Sequence, residues 1–236
     1  MILENKREGM MPIKEDTRLI NKIKMENKLN IKDNKFLQIM NIYTLAMKSV
    51  KDKVGSINKD YNEIYKEDLI NHIMCRIKTP DSIMKKMKRK NYELTYKSLI
   101  ENINDIAGVR IICPFKSSVF EVVDIIKEIE DFRILKEKDY ITNPKKTGYS
   151  SYHMIIEVPV QFEDSTIYAK VEIQIRTLAM DFWATLEHEL KYKSDHKITD
   201  KLSRELVMYA KIINRIDHKM AKIHDKKLKK KIELLD

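Results

Sequence analysis

The stretch AKVEIQIRTLAMDFWATLEHELKYK, residues 169–193, changes its periodicity halfway, and this restricts the possible folds more than any other feature of the chain. Ala169, Val171, Ile173 and Ile175 alternate with Lys170, Glu172, Gln174 and Arg176, so the first half is a strand with one apolar and one wholly polar face. The second half has helical spacing. A strand that runs directly into a helix needs cover for its dry face and a reason for its polar one. An exposed antiparallel face explains such a row at no functional cost; a chemical role requires partners from elsewhere in the chain.

The remaining elements surround that segment. Residues 1–30 are polar and charged and read as a frayed arm or weak helix. From 34 to 75 the pattern is helical, with Phe36, Ile39, Met40, Tyr43, Met47 and Val50 on one stripe, and Gly55 marks a break before a second helix. Thr79 is an N-cap with Pro80 in the first helical position. Residues 106–113 form a strand stopped by Pro114, and Val119, Val122, Val123 and Ile126 mark a helix. Strands follow near 132–138, at 149–158 and at 166–176. The expected class is α+β, a small mixed sheet of nucleotidyltransferase-like type flanked by helices, with helical N- and C-terminal additions. Three segments are expected: 1–75 packing on the core, a core at 76–193, and a C-terminal helix at 194–236. In that helix Leu202, Leu206, Tyr209, Ile213, Ile216, Met220 and Ile223 alternate steps of four and three. Such a seam packs either on the N-terminal helices of its own chain or on another subunit.

Composition narrows the function. The 46 Lys and Arg residues outnumber 36 Asp and Glu, and the net charge of +10 favours phosphates, nucleic acid or anionic lipid. Cys75 and Cys113 have neither disulfide nor zinc spacing, which fits a reducing cytoplasm. No apolar run approaches the ~20 residues needed to span a bilayer, and no export signal is visible. The 4 glycines cannot assemble a phosphate loop or a dinucleotide fingerprint, so side chains must hold any nucleotide. HELKY lacks the second zinc ligand, since Tyr192 follows His188 by four, and Gly55-Ser56 with Asp60 matches polymerase-type nucleotidyltransferases only faintly.

Several constellations remain. On the helix opened by Thr79, Ser82, Lys85, Lys86 and Arg89 share one face while Ile83, Met84 and Met87 occupy the other; with Arg76 and Lys78 upstream they form an anion site suited to a triphosphate. Asp105 and Arg110 share a face only if Asp105 precedes the regular strand or Gly108 bulges. In NPKKTGYSSYH, Gly148 frees the backbone before Tyr149, presenting an aromatic ring beside Lys145 and Lys146 as a base-stacking platform. A carboxylate at Asp105 and one on the polar row would suit Mg²⁺, which takes one or two protein carboxylates and completes its shell with phosphate and water.

Together, DIAGVR, KDYI, GYSSYH and VEIQIRTLAMDFWATLEHELKYK resemble the synthetase domain of the RelA/SpoT family, from about Arg76 to Lys193. The helical additions resemble a small alarmone synthetase of the RelQ type. The resemblance implies transfer of the β,γ-pyrophosphate of ATP to the 3′-hydroxyl of GDP, GTP or GMP, yielding an alarmone and AMP. It implies that Asp105 and Glu172 hold Mg²⁺, with Glu172 also taking the hydroxyl proton. Glu172 then needs no raised resting pKa if the metal acidifies the acceptor hydroxyl. Arg76, Lys86, Arg89, Arg110 and Gln174 match the ATP side, and Tyr149, His153, Asp181 and Lys138 the guanine-nucleotide side. Lys138 stands where some relatives have Arg, and Ser150 where a basic residue is common. Long members also hydrolyse the product with an N-terminal His-Asp metal site; His72 alone stands in this region, implying synthesis without hydrolysis. RelQ-type proteins form homotetramers whose central cleft binds alarmone. The alternative reading from charge and Tyr149 is a single-stranded RNA-binding module, which would be Mg²⁺-independent and steeply salt-dependent. A degenerate regulatory homologue is disfavoured because both carboxylates are present.

Overall fold

In a computed structural model of the chain, the described residues are 28–163, 165–192 and 200–232. Most of the expected N-terminal arm and the polar link at 194–199 lie outside them. Residues 28–30 are not frayed: Lys28 bridges Thr95, and the Leu29 amide donates to the Leu94 carbonyl at 2.8 Å.

The first helix, α1 (Asn34–Tyr65), begins at Asp33, whose carboxylate accepts from the Lys35 amide, and ends at Lys66 in the left-handed conformation. It buries Phe36, Ile39, Ile42, Tyr43, Ala46, Val50 and Val54 along one stripe. Each of the Phe, Ile and Val side chains contributes about 1.5–3 kcal/mol. The break expected at Gly55 is absent. A Cβ there would meet nothing within 4 Å, so the residue sits on the outer surface, where a glycine costs the helix only about 1 kcal/mol. The second helix expected before 75 is instead a strand, β1 (His72–Ile77), which straddles the boundary drawn at 75/76 and joins the N-terminal segment to the sheet.

Then follow α2 (Pro80–Arg89), α3 (Tyr96–Asn102), β2 (Ala107–Cys113), α4 (Lys116–Glu128), β3 (Arg133–Asp139), β4 (Tyr152–Phe162), β5 (Ser165–Thr177), α5 (Leu178–Tyr192) and α6 (Asp200–Ile232). The strand expected from 149 starts at Tyr152, leaving Tyr149 on the preceding loop. The five strands form one mixed sheet in the order β1-β2-β5-β4-β3; β2 and β5 are parallel and every other pair is antiparallel. This is the expected α+β class.

Val109, Ile111, Met154, Ile156, Val171 and Ile173 fill the dry face of the sheet, which α1 and α4 cover. The seam on α6 divides. Leu206 and Ala210 are buried, with Leu202 and Ile213 packed beside them, against Trp183 and Ala184 of α5; Tyr209, Ile216, Met220 and Ile223 are exposed along with Ile212. Packing is therefore on α5 and α4 rather than mainly on the N-terminal helix, and among the described residues about half of the apolar row is left exposed. Among the described residues no helix is long and apolar enough to cross a membrane.

Candidate active site

Strand register assembles the site. Arg76 pairs with Gly108, and Gly108 with Glu172; one row along, Met74 pairs with Arg110, Arg110 with Gln174, Gln174 with His153, and His153 with Lys138. Residues opposite one another share a face, so the polar row of β5 becomes the centre of a polar strip crossing all five strands. Arg76, Lys78, Asp105, Arg110, Glu172 and Gln174 line one cavity of about 460 Å³ on this face.

Asp105 sits just before β2, as a shared role with Arg110 required. The Lys78 amide donates to the Ile106 carbonyl at 2.8 Å, which brings the Lys78 side chain beside it. On α2, the Thr79 hydroxyl accepts from the Ser82 amide, and burial of Ile83 and Met87 turns Lys86 towards the cavity. Lys78 Nζ and Lys86 Nζ lie 2.8 and 2.7 Å from the two Asp105 oxygens. Burial opposes ionisation of Asp105, but these two ammonium groups outweigh it and hold the carboxyl below its usual range. Arg89 is exposed at the end of α2 and does not line the cavity, so α2 delivers Lys86 without it.

Glu172 behaves in the opposite way. Burial, reinforced by the nearby Asp105 charge, raises its pKa, while Gln174 Nε2 donates to its Oε2 at 3.1 Å. Two carboxylates close enough to perturb each other, with cations in contact with one of them, are a hard-oxygen donor pair suited to a small divalent ion. The described residues contain no cluster of three or more metal-ligating side chains. The pair therefore fits an ion that takes its other ligands from nucleotide phosphates and water, as Mg²⁺ does.

Arg176, named in the sequence only as a member of the polar row and not as a site residue, joins the acceptor-side residues together. It is 4% exposed. Its Nε donates to Ser151 Oγ at 3.3 Å, Nη1 to Asp181 Oδ1 at 3.1 Å, and Nη2 to Tyr149 OH at 2.6 Å and to Gln174 Oε1 at 2.8 Å. Its position on the polar row was visible in the sequence; its contacts to Ser151 and Tyr149 were not, because they depend on how the segment leading into β4 lies against β5. Arg110 also donates to Asp181 Oδ1, at 3.2 Å, so Asp181 shares that oxygen between two guanidinium groups.

Tyr149 is not the open platform expected. Its hydroxyl accepts from Arg176 Nη2 and also hydrogen-bonds His153 Nε2, 2.8 Å away, so the hydroxyl is turned inward. Burial, then the charges of Arg176, Lys145 and Lys138, push His153 down to about 4. The ring is therefore neutral at pH 7, and the 4.0 Å separation between its Nδ1 and Glu172 is not an ion pair. Lys145 Nζ lies over both Tyr140 and Tyr149, 4.6 and 4.7 Å from the ring centres. Lys138 is exposed, its Nζ 5.9 Å from the Tyr140 ring centre. Gly148, at φ +90°, turns the chain against α6: a Cβ there would lie 2.5 Å from Ala210 Cβ. Behind this loop a second cavity of about 390 Å³ opens between α5 and α6.

Residues 75–197 match the family described as "Region found in RelA / SpoT proteins". The chain is 46% identical over 179 residues to the GTP pyrophosphokinase YwaC of Bacillus subtilis, covering 76% of this chain and 85% of that one. It is 36% identical over 181 residues to the GTP pyrophosphokinase YjbM of the same organism, covering 77% and 84%. Among solved structures, the small alarmone synthetase 1 from Bacillus subtilis bound to its product pppGpp superposes with a TM-score of 0.74 at 34% identity, covering 82% of this chain and 98% of that one. A GTP pyrophosphokinase family protein from Streptococcus pneumoniae gives 0.75 at 37% identity, covering 84% and 96%.

Proposed function

The chain belongs to the RelA/SpoT family as a GTP pyrophosphokinase of the small alarmone synthetase type, and on that premise we propose how its residues carry the reaction. The 3′-oxygen of a guanine nucleotide bonds to the β-phosphorus of ATP. The bond from that phosphorus to the α,β-bridging oxygen breaks, and AMP leaves with the bridging oxygen. The hydroxyl proton passes to Glu172. The observation that carries this reading is the single cavity in which Glu172 and Asp105 face Arg76, Lys78 and Arg110.

Repulsion between two polyphosphates is the main obstacle, and fixed cations reduce it without reorganisation during the reaction. Arg76 and Arg110 would hold ATP phosphates as forks, with Lys78 and Lys86 as point charges. Asp105 and Glu172 would hold Mg²⁺, which when bound screens phosphate charge and acidifies the acceptor hydroxyl. The raised pKa of Glu172 supports its role as proton acceptor beyond the weaker requirement inferred from sequence, since burial makes this carboxylate a better base. Tyr149 would stack its ring on guanine with its hydroxyl still held by Arg176, and His153, Asp181 and Lys138 would stand around the acceptor. The exposed position of Arg89 leaves it a role only if nucleotide draws it in.

The single His72 in the N-terminal segment supports synthesis without hydrolysis. The exposed apolar row on α6 supports a homotetramer, with alarmone binding between subunits as a further expectation. Purified protein incubated with ATP, Mg²⁺ and GMP, GDP or GTP in turn, with products resolved by anion exchange, tests the reaction and the acceptor together. AMP and a 3′-pyrophosphorylated product must appear in equal amounts. AMP without such a product, or Mg²⁺-independent and salt-sensitive RNA binding with no turnover, refutes the reading.

A further inference from the structure

Lys170 and Arg176 occupy the two ends of the β5 polar row, and neither lines the reaction cavity. Both could be taken for phosphate ligands. A count of donors decides otherwise. Lys170 Nζ donates to the carbonyls of Ile100 and Glu101, at 3.2 and 2.9 Å, and to Asn104 Oδ1 at 3.1 Å. An ammonium has three N–H donors, so none remains for a nucleotide. Ile100 and Glu101 belong to the last turn of α3, whose carbonyls lack helical partners, and a cation there also complements the helix dipole. The clamp thus fixes the segment that ends at Asp105. Arg176 commits four of its five N–H donors to Ser151, Asp181, Tyr149 and Gln174, and at 4% exposure its guanidinium lies beneath those groups rather than in the cavity.

We propose that these are positioning residues, one for each substrate: Lys170 holds the Asp105 segment for the metal and ATP, and Arg176 holds the Tyr149 loop and Asp181 for the acceptor. The identity of the two substrates rests on the pyrophosphotransfer reading; the division of labour rests on the contacts. The row is therefore divided by function, with Glu172 and Gln174 at its centre facing the reaction and a cationic anchor at each end.

The test uses the full chain with Lys170→Met and Arg176→Met, which keep long side chains and remove the donors. Asn104→Ala and Tyr149→Phe remove one partner of each anchor with less risk to folding, and Lys170→Arg serves as the conservative rescue. ATP binding is followed by calorimetry as a function of Mg²⁺ concentration, acceptor binding by fluorescence of Trp183, the single tryptophan, and unfolding by thermal melting. Loss of a residue that orients a metal ligand typically weakens metal affinity about 10–100-fold. Lys170→Met should raise the Mg²⁺ requirement for ATP binding by about tenfold or more, with acceptor affinity within about threefold of wild type. Asn104→Ala should shift it in the same direction by less, and Lys170→Arg should restore part of it. Tyr149→Phe should weaken acceptor binding by about tenfold and leave the Mg²⁺ requirement unchanged; Arg176→Met should weaken acceptor binding at least as much, and shift the Mg²⁺ requirement less than Lys170→Met does, because it reaches Glu172 only through Gln174. If Arg176→Met does not fold, Tyr149→Phe decides that arm. Equal loss of both affinities in either anchor variant, or lower melting temperatures with both affinities intact, overturns the proposal. Wild-type protein that binds both nucleotides yet forms no AMP would sink the pyrophosphotransfer reading and leave this division to be judged on binding alone.

Discussion

Substitution of Gly148 by alanine should separate acceptor binding from ATP binding, and its size follows from geometry. The residue has φ +90°, and the added Cβ would lie 2.5 Å from Ala210 Cβ. Carbon atoms pack at about 3.5–4.0 Å, so loop or helix must retreat by about 1 Å or more. The backbone contribution is about 1–2 kcal/mol for an L-residue held in left-handed territory. Overpacking adds about 1–3 kcal/mol, giving about 2–5 kcal/mol if nothing moves. Because the loop is surface-exposed, part of that strain will be relieved by displacement of Tyr149, the adjacent residue. A misplacement of about 1 Å can cost up to 10²-fold in rate, and a lost base stack about 1–3 kcal/mol. The expected outcome is a lower melting temperature and an acceptor KM raised about tenfold or more, with the KM for ATP unchanged. Adding Ala210→Gly removes the opposing methyl. In a double-mutant cycle it should recover the packing share, a coupling of about 1–3 kcal/mol, and leave the backbone share. If Gly148→Ala binds acceptor and melts like wild type, or if the cycle shows no coupling, α6 is not the wall on which this loop rests.

At saturating Mg²⁺, Glu172→Gln should leave binding of both nucleotides within about threefold of wild type while reducing AMP formation by about 10²–10⁴-fold, measured in single turnovers. The His153 imidazole, at about 4 in the fold against 6.5 ordinarily, gives a stability signature. Between those values the unfolded chain binds a proton that the folded chain refuses, so the residue's contribution is complete above about 6.5 and erodes as pH falls towards 4, by about 3 kcal/mol in all. His153→Gln should flatten melting temperature against pH in that window; an unchanged slope would show that the ring titrates normally. If the chain self-associates through α6, as proposed, Ile216→Glu combined with Ile223→Glu should give a smaller species by sedimentation without changing the monomer's helical content. A native-sized assembly would place the subunit contact elsewhere.

Where the alternation of apolar and polar residues was regular and one face was dry, as in β5 and β2, the strand could be read almost to the residue. β1 could not. Its sequence HIMCRI is mostly exposed at the sheet edge, so no dry face imposed a period on it, and it was absorbed into the preceding helical pattern. Gly55 does not break α1, because a glycine on the solvent side of a helix anchored by Val50 and Val54 costs less than that packing returns. Asp105 and Glu172 were legible as residue types in recognisable surroundings. The roles of Lys78, Lys170 and Arg176 were not, since each depends on a contact between segments far apart in the chain. Tyr149 was legible as a residue and not as a conformation: its inward hydroxyl bonds follow from Arg176 being buried beneath the loop.

The close approach of Gly148 to Ala210 also bears on how small a working fragment can be. A piece ending at the α5 terminus keeps every side chain assigned to ATP, metal or guanine, yet exposes Trp183 and leaves the tyrosine-bearing loop without its backing. Such a fragment should engage ATP and fail to retain acceptor, so α6 would serve substrate binding whatever its part in assembly. During synthesis on the ribosome, competence for the second substrate would then arrive only when this helix has emerged.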